Sequence, residues 1–178
     1  MEQEKINKLK ELRNEIENEF GKDKVWFFPE TDLCKGFYGT QNIIFLCLNP
    51  SKSNIPFDKK PTDLNFYSKL NELGFENAHI TDLIKTKVSN KEAEKYLTDF
   101  NFMIRELKFL KKEIEIIKPK LIISLGKSKK ELYENCLKDY NIPIINIKHY
   151  SLRFPRLQEK FNEDILKIKE QYSKEKRI

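Results

Sequence analysis

Three polar side chains with different hydrogen-bonding roles follow predicted β-strands at widely separated places in the sequence. Asn49 carries an amide, Asp82 a carboxylate and His149 an imidazole, and Gly126 ends a further strand. Such groups can accept hydrogen bonds from a ligand, donate to it, or do both. Because the carboxyl ends of parallel strands line one edge of a sheet, where ligands bind in open α/β folds, we expect these side chains to share one cleft.

The strand before Asn49 places this residue at the sheet edge. Residues 43–48 form an unbroken apolar run, typical of a strand that is buried on both faces. Pro50 cannot donate to a sheet ladder and biases the preceding residue toward extended backbone, so the strand should end at Asn49. The loop Ser51, Lys52 and Ser53 then supplies hydroxyls, backbone amides and a positive charge. The alternative is an ordinary strand followed by a turn.

The rest of the chain alternates strands with helices. Buried strands are predicted at 43–48, 78–81, 121–125 and 142–147, and a short edge strand at 25–28. Helices are predicted at 2–20, from Thr62 or Asp63 to Gly74, from the capping box at Ser89 to 117, at about 128–140, and after Pro155. This alternation predicts a three-layer α/β/α fold around a four-stranded, mostly parallel sheet, in one domain over residues 1–178.

Composition narrows the possible functions. With 39% hydrophobic and 35% charged residues and no apolar run of membrane-spanning length, we expect a globular protein that does not enter membranes. The N-terminus lacks the apolar stretch of a signal peptide, so we expect a cytoplasmic location. Cys34, Cys47 and Cys136 show no Cys-x-x-Cys spacing, which argues against a disulfide framework, a zinc site or an iron–sulfur cluster. The net charge of +6 suits a polyanion such as nucleic acid, although the lysine-rich background could produce the same charge.

Five segments, taken in order, resemble motifs of the uracil-DNA glycosylase superfamily. Cys47-Leu-Asn-Pro-Ser51 is similar to the first motif, which is Gly-Ile-Asn-Pro-Gly in the mismatch-specific branch and Gly-Glu-Ala-Pro-Gly in the iron–sulfur branch. His149-Tyr-Ser151 is similar to the second motif, His-Pro-Ser. The other three segments, 65–75, 79–85 and 113–126, resemble an Asn-Arg-Phe-Trp helix ending in Ala-Gly-Phe, an Ile-Thr-Asn-Leu-Val-Lys stretch and a Lys-Pro-x-x-Ile-Val-x-Leu-Gly strand. The resemblance covers about residues 25–155.

The resemblance implies an enzyme without metal or cofactor that extrudes a damaged or mismatched base from DNA and hydrolyses its N-glycosidic bond. Asn49 would hold the attacking water, and His149 would donate to the base oxygen as that oxygen gains charge. Asp82 would read the base edge, and Phe57, or failing that Phe66, would stack on the base. Contacts to duplex or single-stranded DNA would come from Ser51, Lys52, Ser53, Ser151, Leu152 and Arg153, with Leu152 or Arg153 entering the gap left in a duplex.

Three departures from the motifs bear on specificity. Cys47 and Ser51 replace glycines where the backbone approaches the nucleotide, so the pocket should be tighter or differently shaped. Tyr150 replaces proline, which adds a phenol near the expected phosphate site. Asp82 replaces the asparagine of uracil-specific members, and an ionised carboxylate only accepts hydrogen bonds. We therefore expect a base that presents an amino group rather than uracil, unless the Asp82 carboxylate binds Lys85 instead.

Other interpretations of the same residues stay open. His149 could be a capping or surface imidazole, Phe57 a core residue and Lys52 a solvated lysine. The alternative functions are a catalytically altered module that binds nucleic acid or a nucleotide, and an N-glycosidase of free nucleotides. A glycosylase predicts base release that is lost in Asn49→Ala and His149→Ala, whereas a binding module predicts salt-sensitive affinity without release. The oligomeric state also stays open, with a monomer as the simplest expectation.

Overall fold

Four parallel strands and six α-helices make up the regular structure of the described chain. The computed structural model describes residues 1–50, 52, 55–126, 130–151 and 155–175, except for the side chains at 130, 155–157 and 173–175. The strands are β1 (Gln41–Cys47), β2 (Ala78–Asp82), β3 (Leu121–Leu125) and β4 (Ile144–Ile147). The helices are α1 (Glu2–Phe20), α2 (Pro61–Glu72), α3 (Asn90–Tyr96), α4 (Phe100–Ile117), α5 (Lys130–Leu137) and α6 (Pro155–Glu175). None of these helices is both long and apolar enough to cross a membrane.

Side-chain alternation along β1 divides the core into two halves. Phe45 and Cys47 pack in one half, together with residues of α2 and α6. Ile44 and Leu46 pack in the other half, together with residues of α1, α4 and α5. A strand of period two that is apolar at every position needs a layer on each face. The predicted three-layer α/β/α fold is therefore confirmed.

The sheet brings the ends of all four strands to one edge. Its strand order is β2–β1–β3–β4, and every neighbouring pair is parallel. Cys47 is in register with Asp82, and Leu125 is in register with Ile147. Beyond the strands the pairing continues, since the backbone N–H of Leu83 donates to the carbonyl oxygen of Cys47 at 2.9 Å. The chain after β1 and the chain after β2 thus run side by side at the edge that we expected to hold the site.

One long helix was expected from Ser89 to residue 117, and the structure has two. The capping box is present, because the Ser89 side chain accepts from the Glu92 backbone and the Glu92 side chain accepts from the Ser89 backbone. The helix it opens ends at Tyr96, and Asp99 then caps α4 by accepting from the backbone N–H of Phe102 at 3.1 Å. A second N-cap inside the apolar pattern separates the two helices. It leaves Phe100 76% exposed, outside the apolar face to which its spacing assigned it.

Smaller differences concern element boundaries. The edge strand expected at 25–28 is a single antiparallel bridge between Val25 and Thr86. Helix α2 begins at Pro61 without a side-chain cap, so neither Thr62 nor Asp63 is its N-cap. Strand β4 is shorter than expected and begins at Ile144. The helix expected at 128–140 appears as α5 followed by a 3-10 turn over Lys138–Tyr140.

Candidate active site

Asn49 lies just beyond β1 and is held by the chain that follows β2. Its Nδ2 donates to the carbonyl oxygen of Val88 at 2.9 Å and to that of Pro50 at 3.2 Å. The backbone N–H of Val88 in turn donates to the carbonyl oxygen of Pro50 at 3.3 Å. Two carbonyl acceptors fix which end of the amide is nitrogen. The side-chain oxygen of Asn49 has no partner within the described part of the chain, and it can accept a hydrogen bond from water.

The protonation state of His149 follows from a backbone contact. The N–H of Ser151 donates to Nδ1 of His149 at 3.2 Å, and the Ser151 hydroxyl oxygen lies 2.8 Å from the same atom. A backbone N–H can only donate, so Nδ1 is the acceptor and the ring hydrogen is on Nε2. Burial lowers the pKa of His149 to about 4. The imidazole is therefore neutral at physiological pH and offers Nε2–H as a donor.

Tyr150 packs the imidazole against the core. Its ring stacks on His149 with centroids 4.5 Å apart and on Phe66 at 4.2 Å with an interplanar angle of 4°. Its hydroxyl forms a hydrogen bond with the carboxyl group of Asp63, and only 8% of the residue is exposed. The phenol expected beside a phosphate thus points into the protein. The reason is that the turn at His149 to Ser151 lies over the apolar half of the core that contains Phe66.

Asp82 ends β2 with a buried side chain. It is 4% exposed and is paired in register with Cys47, which places the two side chains on the same face of the sheet. Lys85 does not bind the Asp82 carboxyl group, since its ammonium donates to the Asp82 main-chain carbonyl oxygen. Burial raises the pKa of Asp82 to about 8, although the charge of Lys85 acts in the opposite direction. At neutral pH the neutral acid therefore replaces the ionised carboxylate that we had assumed from the sequence.

A buried ionic cluster of Lys85, Glu106 and Glu113 contacts the backbone next to Asp82, and the motif comparison did not reveal it. Lys85 is 1% exposed, and its Nζ lies 2.8 Å from Thr81 Oγ1 and 2.8 Å from Glu113 Oε1. Glu106 lies seven residues before Glu113 on α4, and its carboxylate accepts a hydrogen bond from the backbone N–H of Lys85 at 2.7 Å. Burial raises the pKa of Glu113, but Lys85 and His79 outweigh it and lower the pKa overall. The signal was present in the sequence, because Glu106 and Glu113 interrupt the apolar face of α4 seven residues apart.

The two candidate stacking residues differ in accessibility. Phe66 is 1% exposed, and the face of its ring lies against Tyr150. Phe57 lies in a 3-10 turn over Phe57–Lys59, is half-buried, and packs on Tyr67 with ring centroids 4.5 Å apart. A ring that stacks on a base must leave one face free. Phe66 is therefore a core residue here, and Phe57 is the better candidate.

The expected DNA contacts are described only in part. Lys52 is exposed and lies 2.7 Å from the carboxylate of Glu92, and hydrogen bonds from Lys52 and Ser89 lower the pKa of Glu92 to about 2. Ser151 is exposed at the turn that also holds His149. Four of the expected residues, Ser51, Ser53, Leu152 and Arg153, lie outside the described residues. Among the described residues there is no cluster of His, Cys, Asp and Glu that could hold a metal ion.

The comparison with protein families decides the assignment. The family model of the uracil DNA glycosylase superfamily matches residues 36–170, which is more than half of the chain. The chain belongs to the uracil-DNA glycosylase superfamily. The match runs from before β1 into α6 and so includes Asn49, Asp82 and His149. No individual curated protein matches the sequence. Membership of the uracil-DNA glycosylase superfamily suggests a glycosylase-like hydrolase that acts on DNA, without fixing the base.

Proposed function

We propose that this member of the superfamily is a DNA N-glycosylase, which extrudes a damaged or mismatched base and hydrolyses its N-glycosidic bond. The observation that supports the proposal is the neutral, Nε2-protonated state of His149, which follows β4 at the same edge of the parallel sheet where Asn49 follows β1 and Asp82 ends β2. Cleavage of this bond leaves positive charge on the sugar and negative charge on the departing base. The enzyme must therefore place a hydrogen-bond donor at the base and a water molecule at the sugar.

His149 is suited to the first task. A neutral imidazole that donates through Nε2 stabilises a carbonyl oxygen of the base as charge develops on it. The ring cannot rotate freely, because Tyr150 stacks on it and the Ser151 N–H holds Nδ1. With a pKa near 4, His149 keeps the same protonation state across the physiological range. The donor is thus available without a change of protonation between binding and reaction.

Asn49 is suited to the second task. Its amide nitrogen is bound to the carbonyl oxygens of Val88 and Pro50, so its oxygen is oriented by the protein rather than by the ligand. An oriented acceptor can hold a water molecule with its lone pair directed at the sugar carbon. The water attacks as the base departs, and the products are the free base and an abasic site in DNA.

Binding of the extruded nucleotide uses the surrounding residues. Phe57 stacks on the base, a type of contact worth about 1–3 kcal/mol in nucleic-acid sites. Lys52 binds a phosphate in place of Glu92, since an exposed ion pair is worth only about 0–1 kcal/mol. Ser151 adds a further phosphate contact. We include Ser51, Ser53, Leu152 and Arg153 on the resemblance alone, with duplex or single-stranded DNA as the partner.

The test is a base-release assay on oligonucleotides that carry uracil, hypoxanthine, xanthine or mismatched thymine. The wild-type protein should release at least one of these bases, and Asn49→Ala and His149→Ala should each reduce the rate by about 10²–10³-fold. Asn18→Ala, which removes an exposed amide on α1, should leave the rate unchanged.

Two other outcomes would replace the proposal with one of the alternatives. Salt-sensitive DNA binding without any released base would identify a binding module. Hydrolysis of free deoxynucleotides, with no activity on the oligonucleotides, would identify a nucleotide N-glycosidase.

A further inference from the structure

The carboxyl group of Asp82 lies in a largely buried residue and forms no hydrogen bond with another group in the described part of the chain. The residue is 4% exposed, and no described side chain or backbone group donates to its carboxyl oxygens. Its oxygens are not among the fully buried, unpartnered side-chain atoms of the described residues, so they keep some access to solvent. An unpartnered group at the ligand-binding edge of a parallel sheet is available to a ligand.

The nearby ammonium group of Lys85 makes its contacts with other groups. The ammonium group of Lys85 donates to Thr81 Oγ1 and to the Asp82 main-chain carbonyl oxygen, and it forms an ion pair with Glu113 Oε1 at 2.8 Å. None of these contacts involves the Asp82 carboxyl group. The charge of Lys85 acts on this group through space only.

The other charged groups around Asp82 disfavour a second negative charge. Glu113 and Glu106 on α4 and Asp63 on α2 all raise the pKa of Asp82 further, in addition to burial. The remaining titratable neighbours are the thiol of Cys47 on β1 and the phenols of Tyr133 on α5 and Tyr150 after β4. Burial raises the pKa of each of these three groups, so each is neutral at physiological pH. Lys85 is the cation that lowers the pKa of Asp82 itself, whereas Lys60 acts on Asp63 and Arg105 acts on Glu106.

We propose that Asp82 reads the extruded base as a neutral carboxylic acid, and that the substrates therefore include lactam bases such as uracil and hypoxanthine. This inference rests on the proposed function. The carbonyl oxygen of the acid accepts from the ring N–H of the base, and its hydroxyl donates to the adjacent base carbonyl oxygen. An asparagine amide offers the same donor and acceptor pair, which makes the substitution of Asp for Asn compatible with these bases. Ionisation of Asp82 removes the hydroxyl donor, so a lone pair of the carboxylate then faces a lone pair of the base carbonyl oxygen.

Recognition by a neutral acid has a consequence that recognition by an amide does not have. The donor is lost as the pH rises through the pKa of Asp82, which is about 8. His149 is neutral throughout this range and does not contribute to the change. Release of a lactam base should therefore fall about tenfold between about pH 6 and pH 9, and in Asp82→Asn it should stay constant within about twofold.

The experiment measures single-turnover release of uracil and of hypoxanthine across this pH range in the wild type and in Asp82→Asn. A decline in the wild type that is absent in the variant supports the inference. A wild-type rate that is flat or rises with pH overturns it. So does the same decline in both proteins, and so does release of amino-bearing bases such as 5-methylcytosine without release of lactam bases.

A second measurement separates this inference from the proposed function. An oligonucleotide with a 2′-fluorinated deoxyuridine resists hydrolysis, and its affinity can be followed by fluorescence anisotropy. If no base is ever released, but this affinity falls with rising pH in the wild type and not in Asp82→Asn, the proposed function fails and the reading of the base by Asp82 stands. If base is released while this affinity has the same pH dependence in both proteins, the inference fails and the glycosylase stands.

Discussion

At the scale of single residues, the immediate neighbours of a side chain set its chemical state. The Ser151 N–H makes an acceptor of His149 Nδ1, and the ring of Tyr150 stacks on one face of the imidazole. Tyr150 is in turn held by Phe66 on one face and by the carboxyl group of Asp63 at its hydroxyl. A motif shows His149 but not its protonation, because protonation depends on contacts made by residues in other elements.

Tyr150→Phe tests this chain of contacts. Loss of the hydroxyl leaves the buried carboxyl group of Asp63 with one hydrogen bond fewer, so we expect a loss of about 1–3 kcal/mol in the free energy of unfolding, measured by urea denaturation. In an Asp63→Asn background the loss should be smaller. The control is Tyr96→Phe, since Tyr96 is half-buried and stacks on Phe102 at 4.0 Å. If Tyr150→Phe proves no more destabilising than this control, the hydrogen bond to Asp63 does not hold the ring.

At the scale of elements, an ion pair inside the protein connects β2 to α4. Lys85, just after β2, lies 2.8 Å from Glu113 Oε1 on α4, and both side chains are buried. A pair of this kind gains little net stability over apolar residues, but a single charge left alone is costly. Its location suggests a positioning role, since the same ammonium binds the Asp82 carbonyl oxygen at the sheet edge.

Lys85→Met should therefore lower the free energy of unfolding by about 3–5 kcal/mol, because it leaves Glu113 buried without its cation. The double variant Lys85→Met/Glu113→Leu should recover most of this loss. An exposed pair between α1 and α4, Lys112 with Glu15, provides the matched control, and Lys112→Met should cost only about 0–1 kcal/mol. Urea denaturation of the four proteins measures these values, and equal losses in the two single variants would contradict the assigned role.

At the scale of the whole molecule, buried carboxyl groups determine how stability depends on pH. Burial raises the pKa of Asp82 to about 8 and that of Glu106 to about 7, both above the ordinary values of the unfolded chain. The native state therefore binds these two protons more tightly than the unfolded state does. By linkage, the stability that they contribute is complete below about pH 4 and is lost as the pH rises toward 8. Glu92 acts in the opposite sense, since its lowered pKa favours the native state only above acidic pH.

Thermal unfolding at about pH 5 and about pH 9 checks this dependence. The wild type should have the lower Tm at the alkaline pH, and Asp82→Asn should reduce the difference by several degrees, because it removes the larger of the two shifts. Asp23→Asn, at an exposed position after α1, should leave the difference as it is in the wild type. A higher Tm at the alkaline pH, or an Asp82→Asn protein indistinguishable from the wild type, would contradict a neutral Asp82.

The overall fold could be predicted from sequence patterns, whereas some local features of the site could not. The apolar runs and their alternation with helices were sufficient for the layers, the four parallel strands and the convergence of strand ends, because these depend on period and length. The break between α3 and α4 was missed, since the apolar spacing runs on across Asp99. The inward position of Tyr150 and the neutral state of Asp82 could not be predicted, because both depend on burial by residues distant in sequence.

Single-turnover base release tests the central claim most directly, namely that Asn49 and His149 act together on one glycosidic bond. We expect Asn49→Ala and His149→Ala each to lower the rate constant by about 10²–10³-fold with little change in DNA affinity, because both residues act in the transition state. The double variant should lose less than the product of the two effects if the groups act as a unit. A rate constant within about fivefold of the wild type in either single variant, or a loss explained entirely by weaker DNA binding, would contradict the account.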